Sequence, residues 1–286
     1  MEKFYIITNT IKDPDLEVTR KITQYLEMQG RKCRVQKADR KYEGAYHYTN
    51  PDMVPDDTDC IIVLGGDGTL LQAARDMVHK KIPLFGINLG NLGFLAEVDR
   101  YSVHSALEKL IRGQYELEER MMLKGRIFRQ GELVGEDLAL NDIVISREGP
   151  VRVVRFINYV NQDYLNSYNA DGIIVSTPTG STGYSLSAGG PIVSPNASLT
   201  IMTPLAPHTL NTRSIIFPST DVITVEIGEG RRKDVEHGIA SFDGDTQFSM
   251  ITGDRIVIER AEDSTKIVKL SNRSFVEVLR QKMSNN

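Results

Sequence analysis

The sequence predicts a two-domain protein of mixed class. An N-terminal three-layer α/β domain with a parallel sheet spans 1–112, and a C-terminal antiparallel β domain spans 113–270. A C-terminal helix over 271–286 returns to the first domain. Three observations predict this. Strand and helix signals alternate up to about residue 112. From about residue 116 short period-2 runs between turns replace them. A length of 286 residues suits about two domains of roughly 150 residues each.

The elements follow in order. The apolar run 4–8 reads as a buried strand, and 15–28 as an amphipathic helix with Leu16, Ile22 and Leu26 on one side. Gly30 stands where a C-terminal cap belongs. A second strand is expected at 33–35, and the polar stretch 37–58 reads mostly as loop. Cys60-Ile61-Ile62-Val63-Leu64 has no polar break, the pattern of a strand buried on both faces of a parallel sheet. It runs into Gly65-Gly66-Asp67-Gly68-Thr69, and 70–78 continues at helical spacing. A strand at 84–87 and a helix at 101–112 complete right-handed βαβ units. Beyond them, 124–129, 138–146, 151–159, 222–227 and 255–259 alternate as antiparallel strands do. Ser274 with Glu277 forms a capping box ahead of Val276, Val278 and Leu279.

Composition narrows the function. With 34 basic against 38 acidic side chains the net charge is −4, so the basic footprint of a nucleic-acid binder is missing. Cys33 and Cys60 are the two cysteines, with no C-x-x-C, which excludes a disulfide scaffold and points to a reducing compartment. The apolar N-terminal run stops at Asn9, too soon for a signal segment or a membrane span. A cytoplasmic protein without a membrane partner is expected.

Six of the 23 glycines fall between residues 65 and 93, and four more between 178 and 191. Glycines so placed let backbone approach a ligand or adopt positive φ. The first cluster joins a buried strand to a helix, which directs free amides at the positive end of a helix dipole, a seat for phosphate. It matches neither G-x-x-x-x-G-K-[ST] nor G-x-G-x-x-G, since Leu71 holds the third glycine's place. Asp67 in its midst either caps the helix or takes part in chemistry, holding a divalent ion or accepting a proton from a hydroxyl. The second cluster, 177–191, mixes hydroxyls and glycines with Tyr184 and Leu186; it reads as a nucleotide-binding segment or as a solvated turn region.

Other candidates are weaker. His47, His79, His104, His208 and His237 lack metal-ligand spacing, so no protein metal site is expected. No G-x-S-x-G nucleophile motif occurs. Asp243-Gly244-Asp245 suits a tight turn better than a cation. Arg147, Arg152 and Arg155 are solvated strand residues or anion contacts, and Asn141-Asp142 is a strand-entry turn or a polar pair facing a ligand.

With Gly65-Gly66-Asp67-Gly68-Thr69 and Asp171-Gly172-Ile173-Ile174-Val175-Ser176-Thr177-Pro178-Thr179-Gly180-Ser181-Thr182 in one chain, the sequence strongly resembles the NAD kinase family. The first motif is shared with 6-phosphofructokinases and diacylglycerol kinases. The second, continuing to Pro191, is far more specific. The resemblance implies ATP-dependent phosphorylation of the adenosine-ribose 2′-hydroxyl of NAD to give NADP, with ATP carried with Mg²⁺ and NAD as substrate. It implies that Asp67 is the general base, and that Gly65, Gly66, Gly68 and Thr69 form the nucleotide loop. Asn141 and Asp142 match an Asn-Glu pair on the ribose, with Asp142 one methylene shorter. Asn169 and Asp171 match positions near the nicotinamide, and Arg152 an arginine near the nucleotide. Thr182, Gly183, Tyr184, Ser185, Leu186 and Ser187 match a segment around the adenine and its ribose, Gly183 standing for an alanine. Ala206 and Gln247 match further contacts. A homodimer or homotetramer is implied. Two alternatives stay open: a lipid or sugar kinase sharing the GGDGT motif, and a module that senses NAD or ATP without transferring phosphate.

Overall fold

The computed structural model describes residues 1–36, 48–90, 93–96, 98–149, 153–209, 212–230, 234–270 and 274–284. The chain forms two compact units, Met1–Arg120 with Asp263–Asn286, and Met121–Glu262.

In the first unit, strands β1 (Lys3–Thr8), β2 (Lys32–Val35), β3 (Cys60–Gly65) and β4 (Leu84–Asn88) lie parallel in the order β2-β1-β3-β4, and β5 (Val98–Asp99) pairs with β4. Helices α1 (Glu17–Met28), α2 (Asp67–Met77) and α3 (Val103–Ile111) alternate with them. Alternation of strand side chains divides the packing. Phe4, Ile6, Ile62, Leu64, Phe85 and Ile87 meet Ile22 and Leu26 of α1 and Leu107 and Leu110 of α3. On the opposite face Gly86 leaves room for α2, since a Cβ there would come within 3.2 Å of Leu70. Helices on both faces make the expected three layers.

Two local expectations need correction. Leu16 takes a left-handed conformation ahead of α1 and is exposed; Thr19 joins Ile22 and Leu26 on the buried face instead. The reason is Asp13, whose buried carboxylate accepts the amides of Val18 and Thr19 (3.2 and 2.9 Å) and the Thr19 hydroxyl (2.7 Å) and so sets the helix start. The helix over 70–78 begins earlier, at Asp67, with Gly66 as its N-cap.

The second unit is a sandwich of two antiparallel sheets. Its strands are β6 (Glu116–Arg129), β7 (Glu132–Ala139), β8 (Asp142–Arg147), β9 (Val154–Val160), β10 (Asp163–Ala170), β11 (Gly172–Ser176), β12 (Leu199–Leu205), β13 (Ile215–Pro218), β14 (Ile223–Ile227), β15 (His237–Phe242), β16 (Thr246–Ile251) and β17 (Arg255–Lys269). One sheet runs β13-β12-β11-β8-β15-β16; the other runs β10-β9-β14-β17, with the β6–β7 hairpin paired to β17. Phe156, Val225 and Ile256 from one sheet and Ile143, Ile173 and Phe242 from the other fill a shared core. The division between these compact units falls inside β6 and inside β17.

The expected run 138–146 breaks into β7 and β8 at Leu140-Asn141. The cause lies far along the chain. The Asp243 carboxylate accepts the amides of Leu140 (2.8 Å), Asn141 (2.8 Å) and Asp142 (3.0 Å), which holds the chain in a turn where β7 gives way to β8.

Helix Phe275–Ser284 belongs to the first unit. Its capping box is reciprocal: Ser274 N donates to Glu277 (2.9 Å) and Glu277 N to the Ser274 hydroxyl (3.2 Å). The Lys282 ammonium sits 5.5 Å from the centroid of the Phe94 ring. No described helix is long and apolar enough to cross a membrane.

Candidate active site

In the first unit, β3 is buried along its whole length and ends at Gly65. Gly66 is extended, and α2 starts at once, its first helical bond running from Leu70 N to Gly66 O. The amides of residues 67–69 are therefore the free donors of a helix N-terminus, where anions are favoured. Each glycine has its own reason to be bare. A Cβ on Gly65 would strike the Thr69 hydroxyl at 2.2 Å, and one on Gly66 would meet the Lys12 ammonium at 2.8 Å. Gly68 faces open space, so packing does not require it, and its bareness keeps the amides uncovered. Thr69 accepts a hydrogen bond from the Asn9 side chain (3.1 Å).

Asp67 does not cap its own helix, because the N-cap is Gly66 and no side chain bonds there. Its carboxylate is instead gripped by a distant loop. Oδ2 accepts the Phe94 amide at 2.7 Å, and Oδ1 the amides of Leu95 and Ala96 at 3.3 and 3.2 Å. Gly93 makes that grip possible, since a Cβ there would lie 1.9 Å from Oδ1. A carboxylate offers about four lone-pair positions, so the three amides leave room for one further partner.

In the second unit the structure gathers Asn141, Asp142, Tyr184 and Gln247 around one cavity of about 440 Å³, together with Ser241, Asp243 and Gly244. Asp142 is 5% exposed, and burial, followed by the neighbouring Asp243 carboxylate, pushes its carboxyl up to about 7. The buried Asn141 Oδ1 meets no hydrogen-bond donor among the described residues, which leaves it a free acceptor. Gly183 rests against this pair: a Cβ there would lie 3.5 Å from Asn141 Nδ2 and 3.8 Å from Asp142 Oδ2. Asp243-Gly244 is the tight turn its sequence suggests, both residues having positive φ. Its carboxylate also anchors the cavity floor through the amides of 140–142.

The rest of the second glycine cluster is more structural than its composition suggests. The Thr177 amide and hydroxyl donate to the carbonyls of Asn141 (2.8 Å) and Leu140 (2.6 Å). Gly180 passes so close that a Cβ would lie 2.1 Å from the Asn141 carbonyl oxygen. Ser181 bonds within the loop, and the buried Ser185 pairs with Thr203. The Thr182 hydroxyl donates to Thr179 O (3.3 Å). Tyr184, Leu186 and Ser187 remain exposed.

Asn169, Asp171 and Ala206 do not line the cavity. They cluster at the opposite end of β11, about 13 Å along the strand from its junction with Asp142. Asp171 N donates to Leu205 O (3.0 Å) and His208 N to Asn169 O (2.9 Å). Arg147 donates to the Asp171 carboxylate at 2.7 Å, a contact its place in the sequence signals weakly. Arg152 lies outside the described residues. Sequence reasoning missed Lys12, the 94–96 amides and the anchoring role of Asp243. Only Gly93, within the first glycine cluster, carried a local signal.

Comparison with known proteins covers both units. The ATP-NAD kinase N-terminal domain matches residues 4–115 and the ATP-NAD kinase C-terminal domain residues 140–270. An NAD kinase of Lachnospira eligens is 47% identical, covering 99% of this chain and all of that protein. One from Lachnoclostridium phytofermentans is 42% identical over 99% of each chain. Among solved structures, an NAD kinase from Archaeoglobus fulgidus in complex with ATP shares the fold at a TM-score of 0.78 and 23% identity, covering 99% of both chains. Yeast NADH kinase complexed with NADH does so at 0.78 and 24%, covering 98% of this chain and 86% of that one. With both of its domain models matched and relatives this similar over its whole length, the chain belongs to the ATP-NAD kinase family.

Proposed function

We propose that this protein transfers the γ-phosphoryl group of ATP to the adenosine-ribose 2′-hydroxyl of NAD, giving NADP and ADP. The observation that carries this reading is the match of both ATP-NAD kinase domains on one chain. A lipid or sugar kinase sharing only GGDGT would not match the second domain, and the carboxylate kept at position 67 counts against a module that only senses nucleotide.

In this reading a bond forms between the 2′-oxygen and the γ-phosphorus while the bond from that phosphorus to the β,γ-bridging oxygen breaks. The 2′-hydroxyl proton passes to Asp67, and the leaving charge stays on ADP. Such transfer goes through a loose transition state, so alignment and charge compensation matter more than a strong base. The amides of 67–69 would hold donor phosphate, and the 94–96 amides would fix the Asp67 carboxylate so that its free lone pair meets the hydroxyl. Asn141 and Asp142 would take the ribose hydroxyls of NAD. Tyr184 and Gln247 would line its adenosine, and Asn169, Asp171 and Ala206, at the far end of β11, would take the nicotinamide end.

The divalent cation is expected to arrive with the triphosphate, as the family resemblance implies. No group of three or more His, Cys, Asp or Glu side chains among the described residues is arranged to hold an ion, and Asp67 is already gripped by amides. A cytoplasmic site accords with the two cysteines, both of them free. A dimer or tetramer follows from the resemblance described above. Incubation with ATP, Mg²⁺ and NAD, coupled to an NADP-specific dehydrogenase, tests the activity directly; NAD binding without product would refute it.

A further inference from the structure

We propose that Lys12 is the donor-phosphate clamp of this enzyme, its ammonium closing over the triphosphate that rests on the glycine loop. This rests on the kinase reading above and adds a residue to it.

The chain leaves β1 through a tight turn. Asn9 N donates to Leu64 O (2.8 Å), at the end of β3, and the amides of Lys12 and Asp13 both donate to Asn9 O (3.0 Å each). The Asn9 side chain reaches across to the Thr69 hydroxyl, tying the turn to the first turn of α2. Lys12 is thereby held over the loop by backbone. Its ammonium stands where side chains on Gly66 and Gly90 would otherwise be: a Cβ on Gly66 would approach Nζ to 2.8 Å, and one on Gly90 to 3.4 Å. Two glycines thus leave space for one cation.

That position gathers positive charge beside the single carboxylate of Asp67 in the first turn of α2. Gly66 is the N-cap of α2, an 11-residue helix whose N-terminus carries partial positive charge. An ammonium there adds like to like. Among the described residues no carboxylate pairs with Lys12 to offset this. A bound polyanion resolves both charges at once, accepting hydrogen bonds from the 67–69 amides on one side and from Nζ on the other. An ammonium on a flexible stem suits the task because it can follow the terminal phosphate as negative charge shifts toward the leaving group.

The test compares Lys12→Met and Lys12→Arg with the wild type. Lys12→Met should raise KM for ATP about 10-fold or more, as expected for loss of a charged hydrogen bond. KM for NAD should stay within about twofold and the melting temperature should not move, because Lys12 is exposed. Lys12→Arg should recover most of the loss, and added salt should weaken ATP binding more in the wild type than in Lys12→Met. Calorimetric titration of ATP in the absence of NAD reads the same contact without turnover. Unchanged ATP affinity in Lys12→Met would overturn the clamp while leaving the kinase reading intact. Parallel rises in both KM values with a lowered melting temperature would overturn it too, in favour of a structural role. A wild-type chain that binds ATP more tightly than Lys12→Met yet forms no NADP would instead refute the kinase reading and keep the clamp.

Discussion

Replacing Asp67 by asparagine separates two roles that the carboxylate combines. Asparagine offers one acceptor oxygen where aspartate offers two. With that oxygen kept under the Leu95 and Ala96 amides, its NH₂ group points at the Phe94 N–H, and the 2.7 Å bond is lost. An orphaned, partly buried N–H costs about 1–3 kcal/mol. At roughly 2–4 °C per kcal/mol for a chain of this size class, the melting temperature of Asp67→Asn should fall by several degrees. Turnover should fall far more, by about 10²-fold or beyond, the scale of a missing general base. Thermal denaturation measures the first effect, and the NADP-coupled assay at saturating ATP and NAD the second. A near-normal kcat would remove Asp67 from the proton transfer. An unchanged melting temperature would show that the three amides do not depend on the carboxylate.

Three further outcomes are expected. Gly93→Ala drives a methyl to 1.9 Å from Asp67 Oδ1, so it should lower kcat about 10-fold or more by displacing the carboxylate, read in the same assay. Gly180→Ala places a methyl 2.1 Å from the Asn141 carbonyl oxygen and should destabilise the chain by about 1–3 kcal/mol, seen as a lower urea midpoint. Asp142 gives a pH signature: its ordinary value is 3.8 and its folded value about 7, so across that interval the folded chain holds a proton that the unfolded chain releases. Stability should fall as pH rises from about 4 to 7, at most by about 1.4 kcal/mol per pH unit, and then level off. Asp142→Asn should flatten that slope in urea titrations at pH 5 and pH 8; an equally steep variant would refute the assignment.

Much of the fold was legible because its signals are local. The apolar stretch of β3 needs no partner to identify it, and Ser274 and Glu277 satisfy one another three residues apart. The illegible parts depend on side chains far away in sequence. Leu16 carries the right hydrophobicity for the inner face of α1, yet Asp13 starts the helix beyond it. Beside Leu140 the Asn141-Asp142 pair hints at a strand-entry turn, but the acceptor that holds the break is Asp243, about a hundred residues on. At the site, the glycine loop between β3 and α2 could be read from the residues, whereas a ligand role for the Asn141-Asp142 pair rests on the family resemblance. That Asp67 is held by the 94–96 amides could not be read, since those donors are backbone and any sequence supplies them. Composition does not show how the hydroxyls of 177–191 are engaged: those of Ser181 and Ser185 hydrogen-bond within the fold.

The Asp243 anchor has a thermodynamic consequence. One turn holds the 140–142 amides while Thr177 holds the carbonyls of Leu140 and Asn141 from the other side, so this stretch of backbone is restrained in both directions. A guest entering the cavity would find its walls already set and would freeze few protein torsions on arrival. Association there should be governed by encounter and by the guest's own flexibility, with little sign of slow rearrangement in the binding transients.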